Sequence, residues 1–189
     1  MTTLVLVLRT VSLLAFAGPM LLVGRGRSRE AQTPRPPRGA PPAPVVANFT
    51  TFGLFFASLL IFPGSSRASM ALPLSGCVLA VGGAALVLRS RAELGPAWSF
   101  VPRAHQGTGL VTTGPYRLMR HPIYLGLVLL TLGQALAFGS WPAGSIALLG
   151  IAPTFGWRAR AEETLLSDAF GERYALYRRR TEMIIPYLL

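Results

Sequence analysis

Five apolar runs divide the chain: residues 4–23, 45–62, 70–88, 123–138 and 142–157. A helix that crosses a bilayer needs about 20 such residues, within a range near 17–25. The first three runs meet that length. The last two are short and are joined only by Gly139, Ser140 and Trp141. So tight a connection predicts a helical hairpin with antiparallel arms. Short arms can continue into the flanking sequence or sit where the bilayer thins. The pattern predicts an all-α, polytopic membrane protein of about five transmembrane helices, the last two forming the short hairpin.

The polar residues between the runs orient this bundle. Five arginines and one glutamate fall in 24–44, one arginine in 63–69, five in 89–122, none in the hairpin turn and six from Arg158 onward. Arginine-rich loops resist translocation. The alternation predicts an outside N-terminus and a cytoplasmic C-terminus. Residues 1–90 read as three N-terminal helices with a basic, proline-rich cytoplasmic loop, and 91–189 as the chemical region, in one integrated domain.

Several local signals have plain readings. Arg9 lies near the outer end of the first run, where its side chain is expected to snorkel to the interface. The AFA in that run imitates a peptidase site, but no basic segment precedes it, so the span is expected to be retained. Asn48-Phe49-Thr50 matches a glycosylation sequon, yet sits at the cytoplasmic mouth of the second run. Residues 33–44 form a stiff, proline-rich linker. Gly76, Ala80, Gly82, Gly83 and Ala84 suit close helix packing in lipid.

Composition settles what the net charge of +11 means. Only 13% of residues are charged and mean hydropathy is +0.48, against about 25% charge in a soluble domain. A nucleic-acid binder gathers its basic residues on one solvated face. Here they fall in blocks between apolar runs, which favours a membrane and argues against nucleic acid. One cysteine, Cys77, forms no intramolecular disulfide. Two histidines and one cysteine make no metal-ligand cluster. Nothing calls for an obligate protein partner.

The chemistry gathers on the cytoplasmic side. The loop 93–117 is long and holds Trp98, Phe100, Leu110 and Val111, so it is expected to pack on something. In GPYRLMRHPIYLG, residues 114–126, Pro115 can start a short helix and Pro122 the next. That places His121 at the cap of the fourth span, where free N–H groups and the positive dipole end attract an anion. Arg117 and Arg120 add to the field, and Tyr124 lies one turn further in. A basic collar with an aromatic belt would look alike. Downstream, Arg158 and Glu162 are four residues apart on one helical face, beside Glu163. An exposed ion pair is the plainer reading. A pair of carboxylates near the membrane can also meet the positive mouth of the fourth span.

LGPAWS, LVTTGPYRLMRHPIYLG, RARAEETLL and FGERYALYRRRTEMIIP together resemble the integral-membrane methyltransferases of the isoprenylcysteine carboxyl methyltransferase and phospholipid methyltransferase type. The similarity runs from 94 to 186. Membrane sterol reductases share RHPxY and a tyrosine-rich end. They carry Glu where this chain has Leu127, and they lack the Glu162-Glu163 pair. The resemblance implies S-adenosyl-L-methionine as cofactor and a lipophilic small molecule or membrane lipid as methyl acceptor. It implies a cofactor site of Thr108, Gly109, Leu110, Val111, Tyr116, His121, Pro122, Ile123, Tyr124, Glu162 and Glu163. Arg158 would face the substrate, and Arg120 would act in catalysis at the polar mouth. An NADPH-dependent membrane reductase and a non-catalytic lipid-binding protein are the alternatives.

Overall fold

The computed structural model describes residues 2–25, 42–64, 70–95 and 109–185. Helices α1 (Thr2–Arg25), α2 (Pro42–Ile61) and α3 (Ala71–Leu94) grow from the first three apolar runs. A 3₁₀ turn, Gly114–Arg117, precedes α4 (Pro122–Phe138). Then come α5 (Trp141–Ile146), a π-helical turn at Ala147–Ile151, α6 (Ala152–Phe170) and α7 (Glu172–Arg178). The described residues contain no strand, only an isolated parallel bridge between Met119 and Glu182.

The prolines act where the sequence places them. Pro115 lies in the 3₁₀ turn and Pro122 opens α4, positions where a missing N–H costs nothing. The hairpin is present. Gly139 adopts the left-handed conformation, φ 65°, and its N–H bonds back into α4. Ser140 caps α5 through its side chain. The second arm does not stop at Trp157. It runs on through the π-helical turn into α6 and reaches Phe170, so the polar RARAEE segment continues the apolar arm rigidly.

Among the described residues, two helices are long and apolar enough to cross a membrane, 43–61 and 71–94; α1 and α4 hold shorter apolar stretches, 3–19 and 122–138. Apolar side chains crowd the outside, among them Leu60 and Leu149, both more than four-fifths exposed. The core joins Phe55, Leu59, Val87, Tyr124, Leu127, Ile151 and Phe155.

Glycines set the antiparallel α3–α4 contact. A Cβ on Gly76 would lie 2.6 Å from Gly133 O, and one on Gly83 2.5 Å from Gly126 O. Each helix thus carries two glycines seven residues apart, facing the other pair. Backbones approach this closely only where side chains are absent. Ala80 and Ala84 are buried in the same region, whereas Gly82 faces away with open space beside it.

Arg9 has protein partners. Its guanidinium donates to Ala137 O, Phe138 O and Gly64 O at 3.1–3.3 Å and lies over the Phe138 ring. The last carbonyls of α4 have no helical partners and carry the negative end of its dipole, so a cation from α1 satisfies them. Asn48 is also buried, with Nδ2 donating to Thr154 Oγ1 at 2.8 Å.

Candidate functional site

Three elements meet at the head of α4. The 3₁₀ turn is held from the end of α3: Glu93 pairs with Arg89 at 3.2 Å and accepts from the Thr113 hydroxyl at 2.9 Å. Gly114 has φ +57° and passes so close to Glu93 that a Cβ would lie 2.7 Å or less from its carboxyl atoms. The chain then turns through Tyr116, Met119 and His121, all buried, into α4. From the other side α6 presents one face, with Phe155, Arg158 and Glu162 spaced i, i+3 and i+7.

Aromatic rings bind these elements together. His121 stacks on Tyr124 with centroids 5.4 Å apart and planes 3° apart, and Tyr124 stacks on Phe155 at 4.8 Å and 18°. The Arg158 guanidinium carbon lies 5.6 Å from the centroid of the Tyr124 ring. Glu162 ties the group: it accepts from the Tyr124 hydroxyl and from Arg158 Nε at 3.2 Å, and its Oε2 lies 3.5 Å from His121 Nδ1. Glu163 Oε1 accepts from Arg120 Nε at 2.5 Å and lies 3.7 Å from His121 Nε2. His121 is thus wedged between the two carboxylates.

This wedge sets the charges. Burial works to lower the basicity of His121, but hydrogen bonding to Glu162 and Glu163 outweighs it and raises the imidazole above its ordinary value. Burial works to raise Glu163, and His121 and Arg120 overcome it, holding the carboxyl at about 2. Glu162 is lowered as well, against its burial, by His121, Arg158 and Tyr124. At neutral pH the site holds two carboxylates and the cations that face them. Tyr177, pushed up to about 12 chiefly by burial, stays protonated and donates to Tyr116 O at 2.8 Å.

The structure brings together Arg120, His121, Tyr124, Arg158, Glu162 and Glu163, drawn from two segments some forty residues apart in sequence. Pro122 and Ile123 stand at the head of α4, and Tyr116 is buried in the turn before it. Gly109, Leu110 and Val111 lie in irregular chain leading to the 3₁₀ turn, Leu110 and Val111 half-buried. Thr108, Trp98 and Phe100 lie outside the described residues. Arg117 is exposed and joins none of these contacts. The plainer reading of Arg158 and Glu162 as an exposed pair fails, because 11% and 19% of their side chains are exposed. Phe155, Arg178 and Thr181 escaped the sequence reading. The spacing of Phe155 with Arg158 and Glu162 was a usable signal. Thr181 takes part through its carbonyl, which no residue type reveals.

A family model described as phospholipid methyltransferase matches residues 72–173, more than half of the chain. The chain belongs to the phospholipid methyltransferase family. The matched segment contains Arg120, His121, Tyr124, Arg158, Glu162 and Glu163. Among individual relatives, the protein-S-isoprenylcysteine O-methyltransferase of Schizosaccharomyces pombe is 33% identical over 79 residues, 42% of this chain and 34% of that one. The cobalt-zinc-cadmium resistance protein CzcN of Cupriavidus metallidurans is 34% identical over 100 residues, 52% of this chain and 46% of that one. The chain therefore spans about a third to a half of the length of these relatives. A solved structure of the eukaryotic intramembrane Ras methyltransferase ICMT superposes with a TM-score of 0.62 at 23% identity, over 78% of this chain and 53% of that one. At that identity the likeness is one of fold. This member of the phospholipid methyltransferase family thus shares its helical arrangement with an intramembrane enzyme.

Proposed function

We propose that this chain is an integral-membrane methyltransferase that uses S-adenosyl-L-methionine. Its methyl acceptor is a lipophilic molecule of the isoprenylcysteine-carboxylate or phospholipid kind, met at the membrane–cytoplasm interface. The observation that carries this reading is the buried Glu162–His121–Arg158–Tyr124 cluster at the head of an apolar hairpin, inside the segment matched to phospholipid methyltransferases.

The residues suit that cofactor. Its ammonium and ribose hydroxyls are donors, and Glu162, held ionised, offers acceptors alone. Its carboxylate is an acceptor, and His121 Nε2 is a buried donor that lies 3.7 Å from Glu163, beyond hydrogen-bond distance. Its sulfonium is a cation, and the face of Tyr124 attracts cations, as Arg158 shows. When bound, S-adenosyl-L-methionine supplies an electrophilic methyl group on a positively charged sulfur.

The chain's own task is then chiefly placement. Holding a nucleophile in line at near-attack distance lowers the barrier without acid or base. Glu162 fixes the polar side of the site and His121 its anion-binding corner, where α4 begins. Gly109, Leu110, Val111, Tyr116, Pro122 and Ile123 complete the pocket wall. The stacked Tyr124 and Phe155 rings exclude water, which favours a step in which charge disappears. Arg158, with its planar fork, aligns an acidic acceptor such as a carboxylate or phosphate. The bundle spans the membrane five times with its N-terminus outside, which puts the site on the cytoplasmic face.

Purified protein in detergent, titrated separately with S-adenosylhomocysteine and NADPH, tests the reading. Binding of S-adenosylhomocysteine alone is expected. Binding of NADPH alone would overturn the reading, and binding of neither would favour a non-catalytic lipid-binding protein. Transfer from a labelled donor into a native lipid extract then identifies the acceptor.

A further inference from the structure

Glu162 and Glu163 adjoin in sequence, and neighbours on a helix point about 100° apart. They therefore meet different surroundings. Glu162 turns to Tyr124 and Arg158. Glu163 turns to Arg120, and its second oxygen, Oε2, lies 3.8 Å from Arg178 Nε. Both of its oxygens thus face arginines. The ion pair with Arg120 is nearly dry, with 8% and 9% of the two side chains exposed.

Arg120 carries the connection onward. Its Nη1 donates to the carbonyl of Arg178 at 3.2 Å and to that of Thr181. Its own N–H donates to Glu182 O at 2.8 Å, and the N–H of His121 donates to Met183 O at 2.9 Å. Met183 and Ile184 pack onto the core. The segment after α7 is therefore a strap laid along residues 119–121, and the backbone of His121 is one of its anchors. A buried ion pair adds little net stability for its desolvation cost. Here it selects one placement of the strap, because Arg120 Nε, Arg120 Nη1 and both Glu163 oxygens each face a named partner.

We propose that Glu163 and Arg120 are positioning residues whose ion pair pins the 178–183 strap across the start of α4 and so sets His121 for the ligand. Glu162 is then the glutamate of the pair that touches the ligand. This rests on the reading that the site binds S-adenosyl-L-methionine. It moves Arg120 out of catalysis and Glu163 out of cofactor contact, the roles that the sequence resemblance implied.

The test replaces the clasp with a covalent bond. Met119→Cys and Glu182→Cys place thiols on the two partners of the parallel bridge, which lie on adjacent backbone segments. Cys77, the native cysteine, is buried. In this parent, Glu163→Gln is measured reduced and oxidised, with S-adenosylhomocysteine as probe. The reduced variant is expected to bind roughly tenfold more weakly than the parent, and oxidation to restore parental affinity. The same disulfide is expected not to rescue Glu162→Gln. An oxidised Glu163→Gln that stays weak would show that Glu163 touches the ligand and overturn the proposal. So would a reduced variant that binds like the parent. If the parent binds no S-adenosylhomocysteine, the cofactor reading fails by itself. The clasp is then judged by the rate of disulfide formation: slowing by Glu163→Gln supports it, and an unchanged rate overturns it.

Discussion

At the scale of the residue, the site is a charge balance around one imidazole. Glu162 joins three groups that sequence separates, Tyr124, His121 and Arg158. Replacing it by Gln keeps the shape and removes the charge. We expect Glu162→Gln to weaken S-adenosylhomocysteine binding by roughly tenfold or more, at least about 1.4 kcal/mol; affinity within twofold of the parent counts against a ligand contact. Arg158→Ala should lower turnover more than cofactor affinity, and an equal loss of both would move Arg158 into the cofactor site. The same balance makes stability depend on pH. His121 is held above its ordinary 6.5. Its contribution is fully present below about 6.5 and is lost as pH rises through the folded value. Glu163 is held at about 2 against an ordinary 4.5. Its contribution is present above about 4.5 and is lost as pH falls toward 2. The thermal midpoint in detergent should therefore be highest between about pH 4.5 and 6.5 and fall on both sides. His121→Gln should flatten the alkaline limb, and a parent midpoint that does not fall above 6.5 would contradict the wedge.

At the scale of the element, the contact between α3 and α4 decides where the site can form. Gly83 and Gly126 let the two backbones touch one turn below the polar head of α4. A Cβ on Gly83 meets backbone atoms, Gly126 O at 2.5 Å and Leu130 N at 2.6 Å, which cannot swing aside as a side chain can. Gly83→Val should therefore push the helices apart, at an overpacking cost of about 1–3 kcal/mol. The thermal midpoint should drop, and ligand affinity with it. Gly82→Ala, one residue away with open space around its position, is the control and should leave the midpoint unchanged or slightly raised. Equal effects at both positions would mean that helix propensity matters here and the close approach does not. The second arm of the hairpin makes a related point. Because it runs unbroken from the apolar stretch into RARAEE, Glu162 and Glu163 are placed by a rod that also packs against α2.

At the scale of the whole molecule, two ends of the bundle carry different work. Arg9, Gly64 and the end of α4 close one end through carbonyl contacts. His121, Arg120 and the strap close the other. The proposed topology puts the second end in the cytoplasm. A reporter fused at the C-terminus should be active only inside the cell, and one at the N-terminus only outside; a C-terminus found outside would break the site's access to a cytoplasmic cofactor. The sequence by itself determined the helical class, the positions of the apolar runs, the hairpin turn and the proline-marked helix starts. These follow from local physics: unbroken apolar runs, fixed proline φ and the freedom of Gly139. It also brought the residues of the site into view, through motifs whose spacing is short. Only the tertiary structure decided which groups meet. Arg9 found carbonyls from two other segments, Asn48 found Thr154, and Thr181 joined the site through a backbone atom. The adjacent glutamates were divided, Glu162 to Tyr124 and Arg158, Glu163 to Arg120 and Arg178. Such pairings span tens of residues of intervening chain, and packing alone brings them within hydrogen-bonding distance.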